Sequence, residues 1–153
     1  MQPGTTAYVE GPHGAFSIDR YPGPGCVFVA GGVGITPIMS MLRTLADRRD
    51  PRPQLLVYGA RSWDDVTFRD ELEALRERLD LRLVYVLSEP PYDWPGERGR
   101  ISFELLERHL PQDRAERLYF ICGPPPMMEG VEQSLRRAGV PWPRIYTERF
   151  TMV

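Results

Sequence analysis

The sequence predicts an α/β domain: an open parallel sheet of five strands, doubly wound so that helices cover both faces. Two observations predict it. Short apolar runs rich in β-branched and aromatic residues recur along the chain, each followed by turn residues and then by apolar residues at helical spacing. A chain that alternates strand and helix in this way forms a parallel sheet through right-handed crossovers. One strand-to-helix turn, at residues 31–36, is also rich in glycine, and ligands of such sheets bind beyond the carboxyl ends of the strands.

The first strand is the run Val27, Phe28, Val29, Ala30, apolar throughout as a strand covered on both faces must be. Gly31, Gly32 and Gly34 follow, a turn without Cβ atoms in which backbone amides can close on a ligand. Thr36 and Pro37 then read as N-cap and N1 of a helix whose free amides and positive dipole end face that turn. A pyrophosphate is the natural guest. The spacing of Gly32, Gly34 and Pro37 is G-x-G-x-x-P, so the turn is Rossmann-like in its physics and not in its motif. A tight strand-to-helix turn holding no ligand is the other reading of this segment.

The pattern then repeats. Residues 54–58 form a second strand ended by Gly59, and Asp64 is placed to cap a helix carrying Phe68, Leu72, Leu75 and Leu79 on one face. Residues 81–87 form a third strand, leading into a polar, proline-rich loop at 88–100 and a short helix that aligns Phe103, Leu106 and Leu110. A fourth strand at 117–122 precedes a helix at 125–138 with Met128, Val131, Leu135 and Ala138 inward, and 144–147 is a fifth, short strand. The Rossmann-like order for these five is 3-2-1-4-5. The strand tips to watch are therefore 31–36, 59–62, 88–92, 122–127 and 147–150. Residues 1–24 do not fit this rhythm. They hold a strand at 7–10 with no sheet of its own, a turn at 11–17 and an extended piece at 16–18, and they read as the tail of another domain, with the nucleotide-type domain beginning at 25.

Composition narrows the function. The chain has 153 residues, enough for one core without staples, and a net charge of −2 in which nineteen basic residues are scattered among acids. Nucleic acid is not an expected partner. No long apolar run and no signal-peptide layout occur, so the expectation is a soluble, cytoplasmic chain. Cys26 and Cys122, the two cysteines, make neither a disulfide framework nor a metal spacing, and they fall at opposite ends of neighbouring strands. His13 lies in a linking turn and His109 near a helix C-terminus, where a cation is favoured anyway.

Three motifs in sequence order, GGVGITP at 31–37, CGPPPMM at 122–128 and YTERF at 146–150, resemble those of the ferredoxin-NADP reductase superfamily. GPHGAFS at 11–17 resembles that family's last flavin-domain strand and linker, and YGAR at 58–61 and GERGRIS at 96–102 are similar to segments of the bacterial oxygenase-reductase and ferric-reductase members. The resemblance implies a nicotinamide-binding lobe of a flavin-dependent oxidoreductase. Backbone amides of Gly32 to Thr36 would hold the pyrophosphate, with Thr36 adding a hydroxyl donor, in a cofactor-binding turn that includes Gly31, Val33, Gly34 and Pro37. Gly59, Ala60 and Arg61 would meet the adenosine half, the guanidinium either pairing with phosphate or stacking on adenine. Gly123 and Pro124 would let the nicotinamide ribose approach, and Met127 or Met128 would pack on the adenine side. Cys122 would orient the nicotinamide ring, Phe150 would lie against the flavin, and Glu148 would bias charge around both. The plain alternatives are a buried strand-end cysteine and a solvated C-terminal tail.

Nucleotide choice turns on the second and third strand tips. Relatives that use NADP place a basic residue after the serine at the third tip, whereas Glu89 follows Ser88 here, a carboxylate that would repel a 2′-phosphate. NAD(H) is therefore expected over NADP(H), with Arg61 keeping NADP(H) open. The superfamily's R-x-Y-[ST] flavin motif occurs nowhere in the sequence, nor do four cysteines for an iron–sulfur cluster. The resemblance thus implies that FAD belongs to a parent protein whose FAD-binding domain lies outside this chain, and that a haem, metal or iron–sulfur partner takes the electrons. The ferric-reductase likeness would allow that parent a membrane-spanning haem domain. Two other readings stand: a non-catalytic NAD(H)-binding or regulatory domain, and a flavodoxin-like or transferase domain of the same architecture.

Overall fold

A computed structural model describes residues 5–10 and 23–152 of the chain. Strand β1 (Thr5–Glu10) is followed by β2 (Cys26–Gly31), α1 (Ile35–Asp47), β3 (Gln54–Ala60), α2 (Arg69–Leu75) and β4 (Leu81–Leu87). Then come β5 (Glu97–Arg98), α3 (Phe103–His109), β6 (Leu118–Cys122), α4 (Pro125–Arg137) and β7 (Ile145–Met152). They make one sheet in the order β1-β7-β6-β2-β3-β4-β5. Strands β2 to β7 run parallel, and the five expected from the sequence keep the expected order within them. Two strands are additional: the two-residue β5 beside β4, and β1, which pairs antiparallel with β7. The segment expected to stand without a sheet therefore closes the β7 edge, with Ala7 opposite Phe150 and Val9 opposite Glu148. His13 and the extended piece at 16–18 lie outside the described residues.

Alternate side chains along each strand serve opposite faces. On one face Phe28, Ala30 and Leu56 pack under α1 through Ile38, Met39 and Leu42 and under α2 through Leu72 and Leu75. On the other, Val27, Val29, Val57 and Ile121 pack under α3 through Leu105 and Leu106 and under α4 through Met128, Val131 and Leu135. The central strands β2 and β6 are buried along their whole length, as continuous apolar runs in a doubly covered sheet must be. Cys26 and Cys122 do sit at opposite ends of adjacent strands: Cys26 is opposite Leu118, and Cys122 opposite Ala30. Among the described residues no helix is long and apolar enough to cross a membrane.

Two helix starts differ from the sequence expectation. Gly32 takes a left-handed backbone (φ 53°), the chain turns through a 3-10 turn over Gly32–Gly34, and α1 begins at Ile35 with Gly34 as N-cap. Thr36 and Pro37 are thus the second and third helical residues and not N-cap and N1. Pro37 is still harmless, because amides of the first turn have no intrahelical acceptor. Asp64 does not cap α2. It lies within a 3-10 turn over Trp63–Asp65, which ends when the backbone extends at Val66 to bury that side chain, and α2 begins only after Phe68, itself left-handed (φ 63°). The inward positions of this segment are as expected, with Leu72, Leu75 and Leu79 buried and Phe68 packed against them. Ser102 caps α3 by accepting the Leu105 amide at 3.2 Å.

Candidate functional site

Strand order reverses at β2, which has β3 on one side and β6 on the other. A cleft of about 480 Å³ opens at the carboxyl tips of these strands, within the size range of small-molecule sites. Gly31 and Gly32 at the end of β2, Gly59 and Ala60 at the end of β3, and Val86 and Ser88 at the end of β4 form its floor. Gly99, Arg100 and Ile101 form one wall, and Pro124, Pro126, Met127 and Gly130 at the start of α4 form the other.

Close backbone packing shapes the glycine turn. A Cβ at Gly34 would drive into the carbonyl of Cys122 and lie 2.7 Å from the Gly123 amide, so only glycine lets the α1 N-terminus seat on the β6 tip. Gly32, in contrast, has open space where its Cβ would be, and its left-handed φ faces the turn toward the cleft. Met127 fills the notch above the two glycines at the β2 and β6 tips, since a Cβ at Gly31 or Gly123 would strike its sulfur. The β3 and β4 tips are tied together: the Ser88 amide donates to the Ala60 carbonyl at 3.0 Å and the Glu89 amide to that of Arg61 at 2.8 Å. Beneath them the Tyr58 hydroxyl accepts the Thr67 amide at 3.1 Å, which fixes the loop leaving β3.

The 99–101 wall is anchored through Glu97. Its carboxylate accepts from Arg108 at 2.7 Å and meets His109 Nε2 at 2.6 Å, and these two partners, Arg108 first, hold its pKa below the ordinary glutamate range. Gly99, left-handed at φ 91°, donates its amide to the Leu87 carbonyl at 2.8 Å, and Ile101 stands over Gly59.

Of the residues expected to bind a nucleotide, the structure brings Gly31, Gly32, Gly59, Ala60, Ser88, Pro124 and Met127 into the cleft. Gly34 and Gly123 lie just behind its floor. Val33 is 79% exposed and Thr36 is exposed, both outside the cleft lining, while Pro37 is half-buried. Arg61 and Glu89 are exposed beyond the cleft lining, and Arg61 is engaged by Asp65 at 3.4 Å. Cys122 is fully buried and sits opposite Glu148 in the register of β6 and β7. The backbone of Phe150 pairs in β7, and its side chain lies outside the described residues. Met128, the other candidate for the adenine side, points into the core.

Burial first, and then the nearby Glu148, push the Cys122 thiol up to about 12, so it stays protonated and apolar at neutral pH. Burial likewise raises the Glu148 carboxyl above its ordinary value. A carboxyl with a raised folded-state pKa costs stability as pH climbs through that value, and costs nothing below the unfolded value, where both states are protonated. Glu148→Gln is therefore expected to raise the thermal midpoint at neutral pH, with the gain vanishing by about pH 4. Equal midpoints across the pH range would refute it.

The cleft residues not foreseen are Val86, Gly99, Arg100, Ile101, Pro126 and Gly130. The motifs GERGRIS and CGPPPMM already contain four of them, but only the fold shows that the two segments face each other. Gly130, a glycine exposed within a helix, is a signal that could have been read, whereas Val86 carried none.

A family model described as "Oxidoreductase NAD-binding domain" matches residues 28–133, from β2 through most of α4. The chain belongs to this family. The match sets it with the ferredoxin-reductase-like enzymes, as the three motifs implied. This NAD-binding domain is 35% identical over 153 residues to the glycine betaine monooxygenase reductase subunit of Pseudomonas aeruginosa, covering 98% of the chain and 42% of that protein. It is 33% identical over 135 residues to NADH-cytochrome b5 reductase 2 of Neurospora crassa, covering 86% and 39%. Among solved structures, a cytochrome P450 reductase of Amycolatopsis superposes with a TM-score of 0.76 at 28% identity, over 90% of this chain and 41% of that one. The chain thus spans about two fifths of the length of these relatives.

Proposed function

We propose that this domain holds NADH across the carboxyl edge of its sheet and serves as the nicotinamide lobe of a flavin-dependent reductase. The carrying observation is the cleft at the strand-order reversal, floored by the glycines through which β2 turns into the N-terminus of α1. The residues fit a dinucleotide: the Gly31–Gly34 amides suit the pyrophosphate, the Gly59, Ala60 and Ser88 tips suit the adenosine half, and Gly123 and Pro124 leave room for the nicotinamide ribose. The nucleotide supplies hydride chemistry, which a flavin turns into single electrons for a haem, metal or iron–sulfur acceptor. What this chain contributes is placement: Cys122, apolar and fixed in β6, and Glu148 beside it flank the nicotinamide side. The flavin resides on a separate FAD-binding domain, while β1 belongs to the sheet of the nucleotide domain through its pairing with β7.

NADH is preferred over NADPH in this reading. Glu89 follows the cleft residue Ser88 and opposes a 2′-phosphate, and Arg61 is already paired with Asp65. The Neurospora relative, an NADH-cytochrome b5 reductase, agrees with this preference. Calorimetric titration of the chain with NADH, NADPH and FAD tests the proposal. Binding of NADH, weaker binding of NADPH and none of FAD is expected; tight FAD binding, or binding of none of the three, overturns it.

A further inference from the structure

The two walls of the cleft offer an anion unequal help. On the β2 side, the glycine turn and Thr36, the second residue of α1, carry backbone amides, while the Ile35 amide is engaged by the Gly32 and Val33 carbonyls. On the α4 side, the N-cap and the first two helical residues are Pro124, Pro125 and Pro126, none of which has an N–H. The Met128 amide is spent on the Pro124 carbonyl at 3.0 Å. A helix start ordinarily presents several free donors, and this one keeps its dipole while losing nearly all of them.

Among the described residues one cation lines the cleft, Arg100 on the opposite wall. It is exposed and makes no hydrogen bond or ion pair with another described residue. Its neighbours are engaged: Arg98 donates to the Tyr92 and Trp94 carbonyls at 2.8 and 2.9 Å, Arg108 to Glu97 at 2.7 Å, and Arg61 to Asp65 at 3.4 Å. The segment carrying Arg100 is nonetheless fixed, by the Gly99 amide on the Leu87 carbonyl and by Glu97 on α3. A guanidinium left unpaired on an anchored loop, facing a helix start stripped of donors, is a fork suited to phosphate oxygens.

We infer that Arg100 is the phosphate-binding cation of the site and that it pairs with the pyrophosphate of the dinucleotide, replacing the donors that the proline run removes. This rests on the nucleotide-site reading above. Because the pyrophosphate is common to both nucleotides, Arg100→Ala weakens NADH, NADPH and ADP-ribose by the same factor, about tenfold, and flattens the salt dependence of binding. Arg100→Lys recovers part of the loss, and the thermal midpoint of both variants stays that of the wild type, since the side chain is exposed and unpartnered. Calorimetric titrations of the chain with those three ligands read the result. Unchanged affinities in Arg100→Ala overturn the assignment, as does loss confined to NADPH, which would make Arg100 a reader of the 2′-phosphate. Failure of the wild-type chain to bind any of the three overturns the nucleotide site itself, and Arg100 with it.

Discussion

Gly34→Ala is expected to lower the stability of the domain by about 3 kcal/mol and to weaken NADH binding at least tenfold. The sign is decided by packing alone. Gly34 has an ordinary helical backbone (φ −63°, ψ −10°), so alanine would otherwise be favoured there for its smaller unfolded-state entropy. The added Cβ strikes the backbone of Cys122 and Gly123, which cannot swing aside as a side chain can, so the α1 N-terminus must lift away from the β6 tip. That movement displaces the glycine turn that floors the cleft. Gly32→Ala makes the contrast: its Cβ enters open space, and only the left-handed φ penalises it, by about 1 kcal/mol. Urea denaturation and NADH titration of the two variants side by side check this. Equal losses in both would show that backbone freedom, and not the close approach to β6, is what position 34 requires.

Phe120→Ala should produce the largest loss of stability in the sheet. Phe120 is fully buried and stacks on Phe28 at 5.6 Å and on Tyr146 at 5.5 Å, so one ring joins β2, β6 and β7. Removing it costs the transfer energy of the ring and leaves a cavity between two aromatic neighbours, about 4 kcal/mol in all, which corresponds to a fall of roughly 10 °C in melting temperature. Phe120→Leu should cost about 1.5 kcal/mol. The cleft proposed to hold the nucleotide lies at the strand tips and Phe120 within the strands, so NADH affinity measured well below the melting point should be unchanged. A melting temperature within 2 °C or so of the wild type for Phe120→Ala would mean that the stack is not what binds the three strands.

Strands were legible in the sequence because burial on both faces demands unbroken apolar runs, and the bounds of 81–87 coincide with β4. Helix starts were less legible. A cap is a statement about where the backbone turns, and Gly32 turned it two residues early, while Val66 drew the chain inward and delayed α2. β5 escaped notice because two residues carry no periodicity. Much the same division holds for the cleft. The glycine turn and CGPPPMM announce a ligand, but neither says that residues 99–101 stand opposite α4, nor that Arg61 is engaged by Asp65 while Arg100 is free of partners among the described residues.

By itself the sequence determined the alternation of strands and helices and the parallel sheet they build, which follow from local apolar pattern and from the handedness of crossovers; the order of the five main strands came with the Rossmann-like fold type and not from any local pattern. Only the tertiary structure decided which side chains share the cleft, that Gly34 is held by contact with the β6 backbone and not by its own dihedrals, and that Cys122 and Glu148 stand side by side. Those depend on contacts between segments that are distant in sequence, and no local pattern encodes such a contact.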